Sequence, residues 1–318
     1  SEMCIRDRAK AQDETEVFAN DSKKKIYMHW MYDVPMGEQL DDDGDSLESI
    51  EGCLTDAQYN RDEHRKAVID DILDNWVSQS HNGKFHAILA TSSIPEAIKY
   101  YKLFAQRDCG LKTTAVFDPS DGNNESSIEK IDGIAQMLED YNSLFGTCFN
   151  ISGYASFKRD VCARLAHKTP YTAVENEPSK CLDILIVVDQ MLTGYDSKWL
   201  NTLYMDKFYK WSNIEMIIQA FSRTNRVFND DKPHGIIRYY RRPYTMKNII
   251  EYAFEQYSGQ KPYGIFVAKL IQNLENMNAA FSDINDIFKI AGIPDFFKTS
   301  RLSLIHISEP TRPISISY

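Results

Sequence analysis

A chain of 318 residues, 43% hydrophobic and 26% charged, has material for one large domain or two modest ones around a buried core. Its net charge of −10 argues against a nucleic-acid footprint spread over the whole surface. No apolar run approaches the ~20 residues of a membrane span, and Ser1–Arg8 lacks the apolar centre of a signal peptide. Six scattered cysteines, with no Cys-x-x-Cys pair, suit reduced cytoplasmic thiols better than a disulfide framework or a zinc site.

Residues 1–8 and 302–318 resemble translated sequencing-adapter sequence and are set aside, as fusion scars are. On that reading the native protein extends beyond both ends. Residues 9–60 read as a polar, acidic connector, with one short strand or hairpin at Ile26-Tyr-Met-His-Trp-Met-Tyr32. Acid concentrates between Glu38 and Asp74, where thirteen Asp/Glu meet three Lys/Arg, the pattern of a solvated segment. A basic cluster at Arg238, Arg241 and Arg242 leaves room for a locally positive groove elsewhere.

From Asp62 to about Ser80 the apolar residues Ala67, Val68, Ile72, Leu73 and Trp76 recur at helical spacing. His86–Ala90 is a short apolar run, and Ser93 with Glu96 then forms a capping box opening a helix to about Gln106. Thr113–Phe117 is the next strand, closed by turn formers from Asp118 to Gly122. A second capping box, Ser126 with Glu129, opens a helix expected to bury Ile131, Ile134, Ala135, Leu138 and Tyr141. A helix from Phe157 to about His167 follows. Ile184–Val188 has no polar alternation, as expected of a central parallel strand covered on both faces. Thr202–Asp206 and Gly235–Tyr239 are further strands, separated by a helix from Asn213 to Arg223. This alternation predicts a doubly wound parallel α/β sheet over residues 61–242. A helical domain is expected to begin at residue 243 and to continue through 301.

Three motifs carry chemistry. In Ile217-Ile-Gln-Ala-Phe-Ser-Arg-Thr-Asn-Arg226, a continuous helix would put Gln219, Arg223 and Arg226 on one face, opposite Ile214, Ile217, Ile218 and Phe221. Guanidinium forks suit the charge spread over a transferring phosphoryl group; an amphipathic helix with a solvated basic face would read the same way. In Asp189-Gln-Met-Leu-Thr-Gly-Tyr-Asp-Ser-Lys198, Thr193, Gly194 and Asp196 are expected beyond the carboxyl end of the buried strand, where α/β sheets bind ligands. Gly194 permits a tight turn, and Asp196 could accept from a ribose hydroxyl or pair with an arginine; a plain turn fits too. In Ala90-Thr-Ser-Ser-Ile-Pro95, the hydroxyls of Thr91, Ser92 and Ser93 precede a helix N-terminus, where free N–H groups bind anions. Most such loops are merely capped helices. Asp62-Glu-His-Arg65 spells a Walker B-like box but sits at a helix start, where acids favour the dipole.

In this order the three motifs resemble the last three of a superfamily 2 helicase, with Ser222 where Gln-x-x-Gly-Arg-x-x-Arg has glycine. The finer resemblance is to the R subunit of type I restriction enzymes. It is carried by Ile184-Leu-Ile-Val-Val-Asp-Gln-Met-Leu-Thr-Gly-Tyr-Asp196, Leu200-Asn-Thr-Leu-Tyr-Met-Asp-Lys207 and Gln219-Ala-Phe-Ser-Arg-Thr-Asn-Arg226, with Tyr141–Thr147 and Tyr257–Pro262 in support, and runs from about Tyr59 to Phe297. The resemblance implies a second RecA-like helicase domain, part of an ATP-dependent DNA translocase in a restriction endonuclease. Arg226 matches an arginine finger and Arg223 its companion. Gln219, Gly194 and Asp196 match positions lining a nucleotide cleft. Thr91, Ser92, Ser93 and Thr193 match positions that track the DNA backbone. Tyr195 stands where phenylalanine is usual. The implied cofactors are ATP and Mg²⁺, held mainly by a first RecA-like domain. The implied partners are double-stranded DNA and the modification and specificity subunits. No Gly-x-x-x-x-Gly-Lys-Ser/Thr loop and no nuclease constellation occur in the chain. Two other readings stay open: an RNA helicase C-terminal domain, and a stand-alone α/β binding module without ATP chemistry.

Overall fold

The computed structural model describes residues 2–41, 43–107, 109–117, 127–188, 195–228, 231–257 and 270–290. The turn at Asp118–Gly122, the capping box of Ser126 and Glu129, the positions Thr193 and Gly194, and the segment 302–318 lie outside the described residues or side chains. By contact density the chain divides into two compact units, residues 1–257 and 258–318.

The chain opens with α1 (Glu2–Arg8), α2 (Glu14–Ala19) and α3 (Asp21–Tyr32). The apolar-aromatic patch at 26–32 is therefore helical, not a strand or hairpin. Asn20 accepts hydrogen bonds from the N–H groups of Ser22 and Lys23, capping the helix where its orphan donors need a partner. Tyr27 and Trp30 then fall on one face and bury with Ile5, Val17 and Ile50 in a small cluster of their own. Residues 2–8, set aside from the fold on sequence grounds, contribute Ile5 to that cluster.

After α4 (Asp56–Tyr59) and α5 (Asp62–Gln79), the strands β1 (His86–Thr91) and β2 (Thr113–Val116) flank α6 (Ile94–Arg107). Then come α7 (Ser127–Phe145), α8 (Tyr154–Leu165), β3 (Ile184–Val187), β4 (Leu200–Asp206), α9 (Ile214–Ser222), β5 (Ile236–Tyr239) and α10 (Pro243–Tyr257). The five strands form one sheet in the order β2-β3-β1-β4-β5, and every pairing is parallel. The apolar run Ile184–Val187 lies between β1 and β2 with every side chain buried, as its lack of alternation requires. On α7 the buried positions are Ile134, Met137, Leu138 and Tyr141; Ile131 and Ala135 face solvent, so the buried stripe starts one turn later than expected. α11 (Leu270–Ile290) belongs to the second unit.

Helix α10 does not begin a separate body. Met246 and Ile249 are fully buried in the core that holds the sheet, and α10 packs on α9. Its N-terminus is closed by the acidic segment. The carboxylate of Glu51 accepts from the N–H groups of Tyr244 (3.1 Å) and Thr245 (2.7 Å). Gly37 passes so close to the Tyr244 backbone that a Cβ there would overlap it. Asp41, Asp43, Asp45 and Glu48 are exposed as a solvated stretch should be, but Glu51 is 4% exposed and structural. Glu51→Ala is expected to cost about 1–2 kcal/mol, the loss of a capping acceptor at a helix dipole's positive end. Urea unfolding of the chain measures it, and an unchanged midpoint would show the cap to be idle.

Helix α5 is bolted over the sheet by ion pairs that spacing alone does not announce. Arg65, 2% exposed, makes a two-pronged contact with Glu96 (both 2.7 Å) and bonds the Asn60 carbonyl. Glu96 thus turns to Arg65, and only the Ser93 half of the expected capping box forms, its hydroxyl 3.4 Å from the Glu96 N–H. His64 reaches Asp206 at the end of β4 (2.7 Å), and Asp71 holds Arg238 (2.6 Å) and the Tyr240 hydroxyl (2.7 Å). Arg241 is bound to Asp206, and Arg242 to the Leu54 carbonyl. Each arginine of the basic cluster is thus engaged by a partner within the fold.

Candidate nucleotide and nucleic-acid edges of the sheet

The sheet has two ends, and the predicted site residues divide between them. At the carboxyl end, Thr91 closes β1. It is fully buried, and its hydroxyl donates to the Val187 carbonyl (3.1 Å). That hydroxyl is thus engaged within the sheet, between β1 and β3. Ser92 is exposed and Ser93 half-buried, both at the mouth of α6.

Asp196 lies at the opposite, amino end. The link from β3 to β4 must return along the sheet, because parallel strands need a crossover. Its described part is already back at the start of β1: the Tyr195 hydroxyl meets His86 Nε2 (3.0 Å), and the Trp199 carbonyl accepts from the His86 N–H. Asp196 therefore does not sit beyond the carboxyl end as expected. Tyr195, in the phenylalanine position, is 6% exposed and its hydroxyl has this partner, so the extra oxygen costs little. Burial holds the His86 imidazole well below its ordinary pKa, with the charges of His167 and Lys232 adding to the effect.

Helix α9 ends at Ser222, one turn short of the shared face expected for Gln219, Arg223 and Arg226. The last turn tightens: Arg223 N–H bonds Ala220 O, and Thr224 N–H and hydroxyl both bond Phe221 O. Thr224 is then buried against Gly235, where any Cβ would overlap it. The helix stops there, and Arg226 follows in an irregular segment beyond it. Gln219 is exposed and Arg223 half-buried.

What the expected single helix face does not supply, the loop does. Arg226 forms a two-pronged pair with Asp196, Nε to Oδ1 at 2.9 Å and Nη2 to Oδ2 at 3.0 Å, with both side chains more than half exposed. A few residues further along each segment the rings pack together: Trp199 against Phe228 (4.6 Å between centroids), Phe85 against Phe228 (5.5 Å), and His167 stacked on Trp199 (3.9 Å). Sequence reasoning missed Lys232, which sits between the two segments, because Asp231-Lys232-Pro233 reads as an ordinary polar turn. Among the described residues no three His, Cys, Asp or Glu side chains gather to hold a metal ion, and no helix is long and apolar enough to cross a membrane.

A five-stranded all-parallel sheet wrapped by helices, with an arginine and an aspartate meeting at its amino edge, defines an α/β protein of the RecA-like class. The family described as type I restriction enzyme subunit R domain 3 matches residues 83–242, and the chain belongs to it. The chain is 32% identical over 213 residues to the type I restriction enzyme SsaAORF53P endonuclease subunit of Staphylococcus saprophyticus, covering 64% of this chain and 22% of that one. It is 31% identical over 200 residues to the SauMRSORF196P endonuclease subunit of Staphylococcus aureus, covering 60% and 20%. Over 60 residues it is 42% identical to the HindI endonuclease subunit of Haemophilus influenzae, covering 19% and 5%. The chain thus spans about a fifth of the length of the first two relatives.

Proposed function

We propose that this chain is the second RecA-like half of an ATP-dependent DNA translocase within the R subunit of a type I restriction endonuclease. The Asp196–Arg226 pair carries the reading. Two motifs thirty residues apart, each matched to a nucleotide cleft, meet on one exposed edge. An exposed ion pair contributes at most about 1 kcal/mol, so a phosphate oxygen can replace the carboxylate at small cost. The residues present fit a triphosphate: Arg226 is exposed and held in a fork geometry, and Gln219 and Arg223 lie along the chain just before it. Bound ATP supplies a γ-phosphoryl group whose transfer to water spreads negative charge over its oxygens. Arg226 would offset that charge, Arg223 and Gln219 would orient the phosphates, and Gly194 and Asp196 would complete the cleft. No Mg²⁺ ligand is assigned to the described residues; that ion falls to the first domain. Ser92, Ser93 and Thr193 would track the DNA backbone. Double-stranded DNA and the modification and specificity subunits are the partners this reading names.

The chain by itself is expected to turn over no ATP, because a RecA-like motor builds its site between two domains and no Gly-Lys phosphate loop occurs in this sequence. The full-length subunit is expected to hydrolyse ATP faster when duplex DNA is added. DNA-stimulated turnover by the isolated chain would overturn the assignment, and stimulation by RNA in place of DNA would favour the RNA-helicase reading.

A further inference from the structure

We infer that Lys232 is a positioning residue for Arg226: its side chain ties the segment bearing Arg226 to the segment bearing Asp196 and so sets where the guanidinium points. The inference rests on the reading of Arg226 given above.

Lys232 is 1% exposed, an unusual place for a lysine. Its Nζ donates to the carbonyl of Arg226 itself (2.7 Å) and to the carbonyl of Lys198 (3.3 Å), two residues beyond Asp196. Among the described residues its partners are these carbonyl oxygens rather than a carboxylate. Its backbone forms an antiparallel bridge with Phe228, N–H to O in both directions (3.0 and 3.1 Å). The stem is thus anchored on the far side of Arg226, and the amine reaches back across it. A side chain needed only to fill this space would be leucine or methionine, since burying an amine is unfavourable unless its donors are used. Here the donors reach the two loops whose relative placement fixes the Asp196–Arg226 fork. The same two segments also meet through the packed rings of Trp199 and Phe228, with Phe85 against both.

The charged and titratable groups around this corner are His86 on β1, Lys84 just before it, His167 beyond α8 with its partner Glu175, Asp196 and Lys198 on the return segment, Arg226, and Asp231 beside Lys232. Lys84 and Asp231 are paired with each other (2.5 Å), and burial keeps His86 neutral. Burial also pushes Lys232 down to about 8. Below that pH the ammonium makes charge-assisted bonds, roughly twice as strong as neutral ones; as pH rises through it, the charge is lost and the tie weakens.

The test uses the full-length subunit and DNA-stimulated ATP turnover, comparing wild type, Lys232→Met and Arg226→Ala. Lys232→Met is expected to lose on the order of 10²-fold in kcat, the scale of an ångström-sized misplacement, with KM for ATP little changed. Wild-type kcat is expected to fall as pH rises through about 8, and a folded Lys232→Met to lack that step. If Lys232→Met melts like wild type and keeps wild-type kcat while Arg226→Ala is inactive, the tie is irrelevant and the arginine reading survives. If Arg226→Ala stays active, both fall. If Lys232→Met does not fold, the wild-type pH profile decides: a fall through about 8 supports the tie, and a flat kcat overturns it.

Discussion

Arg226→Ala in the full-length subunit is expected to reduce DNA-stimulated ATP hydrolysis by about 10³–10⁵-fold, the contribution of an arginine finger to turnover. The fold should be untouched. Arg226 lies in an irregular segment beyond α9, more than half exposed, and its guanidinium touches a similarly exposed Asp196. Truncation therefore opens no cavity and strands no buried charge. Circular dichroism and thermal melting serve as the control. Arg226→Lys is expected to fail nearly as badly, because an ammonium is a point charge and cannot present the planar fork that now grips both Asp196 oxygens. Retention of more than about a tenth of wild-type turnover by Arg226→Ala would lie far outside the loss expected of a finger. The edge would then be only a charged surface.

The second large effect is on stability. Asp206 is fully buried at the end of β4 and accepts from His64 (2.7 Å), Tyr100 (3.0 Å) and twice from Arg241 (3.0 Å each). Asp206→Ala would leave the Arg241 guanidinium, 3% exposed, with Asn60 Oδ1 and the Tyr59 ring as its side-chain contacts among the described residues, neither of them charged. Breaking a buried pair from one side costs about 3–5 kcal/mol, because the remaining charge is neither hydrated nor neutralised. Asp206→Asn keeps the shape and one acceptor and should lose less. Urea unfolding of the chain at neutral pH measures both, and a loss under about 1 kcal/mol for the alanine variant, the range of an exposed pair, would show that water reaches Arg241. Desolvation alone would raise the Asp206 carboxyl, but the hydrogen bonds from His64 and Arg241 outweigh it and hold the group below its ordinary value. A carboxyl lowered on folding stabilises the native state fully above its unfolded value of about 4. Wild type should therefore lose this contribution as pH falls below about 4, and Asp206→Ala should lack that part of the acid transition.

Most of the architecture was legible in the sequence because it rests on short-range physics. An apolar run with no alternation, Ile184–Val187, can only be a strand covered on both faces, and it lies inside the sheet. The helical period through Val68, Ile72 and Trp76 names the buried face of α5, and all three are in the core. The family, too, is written in contiguous phrases such as Leu200–Lys207. Local pattern failed where a cap outvoted composition: the aromatic patch at 26–32 looks extended, yet Asn20 starts a helix through it.

Tertiary structure decided everything that depends on partners far apart in the chain. The expectation that Gln219, Arg223 and Arg226 share a helix face follows from 3.6-residue geometry, but the contact of Thr224 with Gly235 ends α9 first. The crossover that carries Asp196 back to the amino edge is set by the parallel order of β3, β1 and β4, which no local motif encodes. Glu51 capping α10, Asp206 gathering His64 and Arg241, and Lys232 reaching the carbonyl of Lys198 all span large sequence separations. Their residue types alone read as solvated charge. The sequence determined which residues are apolar and how they repeat, hence the elements and the class of fold. Which charges are buried, and which two loops meet at the edge of the sheet, only the folded chain decides, because a charge is buried only where a partner from another element arrives to satisfy it.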